Sequence, residues 1–150
     1  IQEPNARIIE KNWIQMLMQL KMDIIHCGCG RTAFLSSFEK TGEHSLVCQN
    51  CGSPIYTMSV RDFEMPLYPG AKLYRCVTEK GNDDFETVTG AVIENRLKKG
   101  LFGVKNMSRQ TWQALYPDHS LREVGPGKGV PIWKGLEIDF GDGIHGKILL

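Results

Sequence analysis

The sequence predicts a mainly β protein of the α+β class with three parts: an N-terminal helix, a small metal-binding segment and an antiparallel β-sandwich. Three observations carry this prediction. Apolar residues recur with helical spacing near the N-terminus, four of the five cysteines fall in two close pairs, and short strand-like runs separated by turn residues fill the second half. The predicted boundaries are a helix at 1–25, the metal-binding segment at 26–58, a linker at 59–70 and the β-sandwich at 71–150.

The composition is that of an ordinary globular protein. Apolar residues make up 41% of the chain, charged residues make up 23%, and the net charge is +1. This balance gives no reason to expect nucleic acid or an anionic membrane as a partner. No apolar run approaches the length of a membrane span, and the N-terminus lacks a signal-peptide pattern. We therefore expect a cytoplasmic protein whose cysteines are not in disulfides.

The N-terminal segment carries an apolar stripe with the period of an α-helix. Its members are Ile9, Trp13, Met16, Leu17, Leu20 and Ile24. Pro4 and Asn5 lie where a helix start signal is expected. Two interpretations remain open: the stripe packs on the rest of this chain, or it belongs to a domain that lies before it.

The start of this helix resembles the last conserved helix of protein kinases, whose pattern is matched by Pro4, Arg7 and Trp13. The resemblance implies that residues 1–25 are the end of a kinase-like fold. The chain itself has no Gly-rich ATP loop, no His-Arg-Asp loop and no Asp-Phe-Gly signature, so we do not expect it to be an enzyme. An alternative is that it is the C-terminal fragment of an active Ser/Thr kinase, with phosphoryl transfer performed by a preceding domain.

The cysteine pairs predict a structural zinc site of the zinc-ribbon type. The four predicted ligands lie on two short turns separated by eighteen residues: Cys27, Cys29, Cys48 and Cys51. A glycine follows each pair and allows the positive φ that aims backbone N–H groups at the sulfurs. Four thiolates leave no open coordination position, so the Zn²⁺ would be structural. A nucleic-acid-binding ribbon is an alternative that the near-neutral charge disfavours.

One ligand position has an alternative. The usual Cys-x-x-Cys-Gly spacing places His26, and not Cys27, at the first ligand position. A Cys-x-Cys-Gly turn also occurs in zinc sites, and we predict Cys27 as the ligand, with His26 as the alternative.

The second half predicts an antiparallel β-sandwich or barrel, because short runs are separated by turn signals every 8–12 residues. The predicted strands lie at 71–77, 87–93, 101–104, 111–115, 121–124, 136–140 and 147–150. Asp142 and Gly143 form the predicted turn between the last two.

Two stretches of this region resemble forkhead-associated (FHA) domains: the Asn106-Met107-Ser108 motif with Thr111-Trp112, and the closing stretch at 125–141. The resemblance implies an FHA-like sandwich. FHA domains grip phosphothreonine with a Gly-Arg, a Ser-x-x-His and an Asn-Gly, and this chain does not match them. It has Gly90-Ala91 at the first place and Gln110-Thr111 at the third. The remaining weak candidates for binding an anion are Arg96, Lys98 and Lys99.

The order of the three parts resembles a C-terminal tail of bacterial Ser/Thr kinase-like proteins. That resemblance implies a non-catalytic, zinc-stabilised module for protein interaction or regulation in signalling. Its expected partner is another protein or the kinase domain of its own polypeptide. No oligomeric state follows from the residues.

Overall fold

The computed structural model describes residues 4–35, 40–41, 45–80 and 84–149. It is mainly β, with antiparallel sheets and an N-terminal helix, which confirms the predicted fold class at that level. The described helices are α1 (Pro4–Asp23) and α2 (Arg75–Thr78). The described strands are β1 (Ile24–His26), β2 (Thr32–Phe34), β3 (Lys40–Thr41), β4 (Ser45–Val47), β5 (Pro54–Val60), β6 (Phe63–Leu67), β7 (Lys72–Tyr74), β8 (Val88–Glu94), β9 (Phe102–Asn106), β10 (Trp112–Leu115), β11 (Leu121–Val124), β12 (Gly129–Pro131), β13 (Glu137–Gly141) and β14 (Ile144–Leu149).

These strands form three antiparallel sheets. The largest has the order β11-β10-β13-β14-β5-β4-β3, with β6 also paired to β5. The second has the order β12-β9-β8-β7, and the third is the pair β1-β2. The strands form where more and less buried residues alternate along the chain. In β13, Ile138 and Phe140 are buried while their neighbours are half-buried. The predicted turn at Asp142 and Gly143 joins β13 to β14 and has positive φ at both residues.

One core is shared by the two larger sheets. It includes buried residues from both, for example Ile138 of β13 and Val104 of β9. Trp112 is 1% exposed and meets Phe140 edge to face, with ring centroids 4.9 Å apart. Trp112 is therefore part of the shared core.

The cysteine-bearing turns have their own small cluster of buried side chains: Ile25, Leu46, Cys48 and Ile55. Strand β5 belongs to both cores, because Ile55 lies in the small cluster while Met58 and Val60 lie in the large one. Since one strand runs through both cores, the two parts are joined by a continuous hydrogen-bonded sheet.

Two segments differ from their predicted form. The predicted linker at 59–70 includes β6, whose residues pair with β5 and bury Met65 and Leu67 in the main core. The strand predicted at 71–77 ends at Tyr74 and continues as α2. The guanidinium of Arg61, in the β5–β6 turn, donates hydrogen bonds to the carbonyls of Cys76 and Val77 and so caps that helical turn.

Helix α1 confirms the predicted N-terminal helix, but its buried face is different from the predicted stripe. It packs on β6 through Met18 and Met22, which are 4% and 6% exposed, and Gln19 Nε2 donates to the carbonyl of Glu64 at 3.3 Å. Trp13 and Leu17 are each 58% exposed. The stripe residues Trp13, Met16, Leu17 and Leu20 therefore do not pack on the rest of the described chain, whereas Ile24 is half-buried.

Within the part of the chain that the structure describes, no helix combines the length and the apolar character needed to cross a membrane.

Candidate metal centre

The four predicted cysteine ligands come together. The Sγ atoms of Cys27, Cys29, Cys48 and Cys51 all lie within 4.8 Å of one another. The Sγ–Sγ distances are 3.5 Å from Cys27 to Cys51 and 3.8 Å from Cys29 to Cys48. Both are far longer than the roughly 2.05 Å of a disulfide bond. The group is therefore an arrangement of free thiols that could bind a metal ion.

Two tight turns place these sulfurs. In the first, the N–H of Gly30 donates to the carbonyl of Cys27 at 2.9 Å, and in the second the N–H of Gly52 donates to the carbonyl of Cys48 at 2.8 Å. Gly30 has a φ of 91° and Gly52 has a φ of 73°, as the sequence predicted for the glycine that follows each pair. No atom lies within 4 Å of a Cβ built on either glycine, so backbone conformation rather than crowding selects glycine there.

Polar neighbours favour thiolates on the exposed side of the cluster. Asn50 Nδ2 donates to Cys29 Sγ at 3.4 Å. This bond, with a second one from the backbone of Arg31, lowers the pKa of the Cys29 thiol to about 6. Ser53 Oγ lies 3.3 Å from Cys51 Sγ, and its side chain and backbone likewise lower the pKa of that thiol.

The half-buried Cys27 thiol has the opposite tendency. A backbone hydrogen bond with Cys29 lowers the pKa of the Cys27 thiol. Burial and the neighbouring sulfurs, that of Cys51 first, raise this pKa by more, so that it reaches about 12. Thiolates this close repel one another, so all four ionise together only when a cation lies between them. Such a cluster is chemically suited to a divalent metal ion.

His26, the alternative first ligand, is not among the four grouped residues. Its ring is exposed, its Nδ1 lies 3.1 Å from Thr32 Oγ1, and it meets the Tyr68 ring edge to face at 5.6 Å. These contacts turn the ring toward β2 and Tyr68, so the geometry favours Cys27 as the first ligand.

The weak anion candidates lie apart from this centre. Arg96, Lys98 and Lys99 are exposed in the loop between β8 and β9, whose backbone is held by Asn95 Oδ1. With described residues, none of the three side chains makes an ion pair or hydrogen bond. The structure brings these side chains to one loop and gives them no acceptor or donor partner that would define a pocket.

The FHA-like positions have structural roles in this chain. Gly90 is buried, and a Cβ there would lie 2.9 Å from a Trp112 ring atom, so this position serves packing. Asn106 is fully buried, and its amide donates to the carbonyls of Gln110 and Val124.

Sequence reasoning missed Asn50 and Ser53, which hydrogen-bond the sulfurs. Both are polar residues inside or just after the second cysteine turn, where the backbone already aims donors at the ligands. That position is the signal that could have identified them.

The resemblances to kinases and to FHA domains rest on residue patterns alone, and both stay predictions. Comparisons of this chain with protein-family models, with curated proteins and with solved structures found no match.

Proposed function

We propose that this chain is a non-catalytic, zinc-stabilised protein-interaction module of a bacterial kinase-like protein. The observation that carries the interaction role is the exposed apolar face of α1. The cysteine cluster carries the zinc assignment. The kinase-like context rests on the residues of α1 that match the kinase pattern.

The geometry of the cluster suits Zn²⁺. With Zn–S bonds of about 2.3 Å at tetrahedral angles, neighbouring sulfurs lie about 3.8 Å apart. Two of the sulfur pairs lie 3.5 and 3.8 Å apart. Four thiolates fill the coordination shell and leave no position for a water molecule or a substrate. The proposed zinc is therefore structural and does not activate a nucleophile.

The metal supplies stability that the local core lacks. Among the residues that the structure describes, four buried side chains form the small cluster beside the cysteine turns. A core of this size does not offset the conformational entropy of ordering two turns and their strands. Structural zinc contributes on the order of 10 kcal/mol at neutral pH, and that free energy becomes folding free energy.

The exposed face of α1 is the proposed interaction surface. Its large apolar side chains are all more than half exposed: Trp13 58%, Met16 62%, Leu17 58% and Leu20 52%. A contiguous apolar face of this kind marks an interaction site more often than a solvated surface. Because the matching pattern of Pro4, Arg7 and Trp13 belongs to the closing helix of kinases, we assign this face to a kinase-like domain of the same polypeptide.

A metal measurement tests the zinc part. Elemental analysis should give one zinc per chain, and Cys48→Ser should lose it while Cys76→Ser, which alters the half-buried cysteine outside the cluster, should keep it. Circular dichroism in a strong chelator should show partial loss of structure. A folded, metal-free chain with unchanged thermal stability would contradict a structural zinc.

A second experiment tests the interaction part. The coding sequence before residue 1 should encode a kinase-like fold, and that segment, expressed separately, should bind this chain. Leu17→Lys places a charge on the apolar face and should weaken binding at least tenfold. Gln15→Lys adds the same charge at another exposed position of α1 and is the matched control. Equal affinities of the two variants, or a preceding segment without kinase sequence features, would refute the proposed partner.

A further inference from the structure

A cavity of about 410 Å³ opens where α1, the β1 strand and the segment from β6 to β7 meet. Its volume is within the range of small-molecule sites. Met22 and Met65, both buried in the main core, contribute to its lining. The cavity lies outside the four-sulfur cluster and away from the exposed face of α1.

The walls of this cavity are cationic. Among the described residues, those that line it include Lys21 and Lys72 and no aspartate or glutamate. Neither ammonium group makes an ion pair with a described residue. In a chain whose net charge is only +1, two unpaired cations at one cavity are a local excess of positive charge.

Aromatic side chains stand beside these cations. Lys72 and Tyr74 flank the buried Leu73 on β7, and Lys21 Nζ lies 4.2 Å from the centroid of the Tyr74 ring. This cation–π contact holds the Lys21 ammonium at the cavity wall. Tyr68 also lines the cavity, and burial raises the pKa of its hydroxyl, which therefore stays a neutral hydrogen-bond donor at physiological pH.

The chemistry of the lining defines a ligand class. Lysine ammonium groups bind phosphate as point charges, and a tyrosine hydroxyl adds a neutral donor. The methionine, proline and tyrosine side chains offer an apolar wall for a planar or apolar group. We infer that this cavity binds a small organic phosphate, with the phosphate between Lys21 and Lys72 and the organic part against the tyrosine rings.

Calorimetric titration of the metal-loaded chain tests this inference with three probes: AMP, inorganic phosphate and adenosine. AMP should bind saturably and most tightly, phosphate alone more weakly, and adenosine weakest, because the cations recognise the charge and the rings recognise the base. Affinity for AMP should fall as ionic strength rises.

Variants localise the site. Lys72→Ala and Lys21→Gln should each weaken AMP binding about tenfold, the scale of one lost charge-assisted contact. Lys72→Arg should retain most of it. Lys134→Ala removes an exposed lysine outside the cavity and should change nothing. Thermal melts show whether each variant is folded. If Lys72→Ala does not fold, the AMP affinity of Lys21→Gln tests the site instead.

The inference would be overturned if AMP showed no saturable binding up to about 10 mM, because a specific site of this size should bind more tightly than that. It would also be overturned if adenosine bound as tightly as AMP. Equal loss of AMP affinity in Lys134→Ala and Lys72→Ala would be the third contrary result. None of these results bears on the zinc or the α1 face, so failure here leaves the proposed function standing.

Discussion

Asn106 offers the sharpest test of how the sandwich is held together. The residue is 0% exposed. Its Nδ2 donates to the carbonyls of Gln110 at 2.7 Å and Val124 at 2.8 Å, and its Oδ1 accepts from the N–H of Ser108 at 2.9 Å and from Ser108 Oγ at 2.7 Å. One buried amide therefore ties the end of β9 to the following turn and to β11.

The loss in free energy of unfolding caused by Asn106→Ala depends on which of its hydrogen-bond partners stay buried after the substitution. The bond to Val124 is fully buried, and a buried acceptor left without its donor costs about 1–3 kcal/mol. Ser108 and Gln110 are nearer to solvent, so water replaces the amide there and each lost bond costs about 0.5–1 kcal/mol. Because three bonds are lost at Ser108 and Gln110 in addition to the one at Val124, the expected loss in free energy of unfolding is about 2.5–6 kcal/mol.

Urea unfolding of the metal-loaded protein, followed by circular dichroism, measures this loss. Asn95→Ala is the matched control, since Asn95 Oδ1 also accepts backbone N–H bonds, from Leu97 and Lys98, but in an exposed loop. We expect the control, which loses two solvent-exposed bonds, to cost about 1–2 kcal/mol. If the two variants lose the same free energy with unchanged urea slopes, burial does not set the value of these bonds and the reasoning fails.

Two further predictions concern packing and pH. Gly146→Ala should destabilise the chain by about 1–3 kcal/mol in the same urea assay, because the added Cβ would lie 2.9 Å from a Phe140 ring atom. Gly125→Ala is the control, because the space around its Cβ is open, and it should be neutral or slightly stabilising. Equal effects of the two substitutions would contradict the packing argument. Hydrogen bonds from the Thr87 hydroxyl and from the backbone of Thr87 and Glu86 lower the pKa of Asp84 from 3.8 to about 2. Its ionised form therefore adds stability above pH 3.8 that is lost as the pH falls toward 2. The melting temperature of Asp84→Asn should be lower than that of the wild type at pH 6 and equal to it near pH 2. A difference in melting temperature that does not change with pH would refute this.

Strands were the most predictable part of the fold because their signal is local. In β13 and β14, alternation of apolar and polar residues on either side of Asp142 and Gly143 specifies both the strands and their register. The same alternation led to the overlong strand prediction at 71–77. There the chain turns into α2 after Tyr74, where the carbonyls of Cys76 and Val77 find a donor in a distant arginine that no local pattern reveals.

The segment predicted as a linker shows why proline is an ambiguous signal. Pro66 lies within β6 opposite Thr57. In the described sheet, β6 pairs only with β5 and is therefore an edge strand, where a residue without an N–H is tolerated. The outer side of that edge faces α1, and Gln19 donates to the carbonyl of Glu64 there. Tertiary contact thus turned an apparent linker into part of the core.

The helix was predictable, and its orientation was not. Periodicity identifies apolar residues on a helix, but it does not say which of them a neighbour covers. Here β6 covers Met18 and Met22, whose flexible side chains fill the gap above the strand, and Trp13 and Leu17 stay exposed. The exposed apolar side of α1 is the surface that we propose a kinase-like domain covers.

The metal centre could be predicted from the sequence, and the cavity could not. Cysteine spacing alone predicted the four-sulfur cluster, because two close cysteine pairs, each followed directly by a glycine, are typical of the turns that bind a metal ion. The cavity gathers Lys21, His26, Tyr68 and Lys72 from separate elements, so no window of sequence reveals it.

Strand β5 connects the cysteine turns with the cavity. It pairs with β4, which leads into the second cysteine turn, and with β6, which leads into Tyr68 at the cavity. His26, the residue before Cys27, meets the Tyr68 ring from the other side. A metal ion bound by the four cysteines would therefore also hold residues at one wall of the cavity in place. Ile55 and Met58 place neighbouring parts of β5 in two cores, so a displacement of the cysteine turns would disturb packing in the sandwich as well.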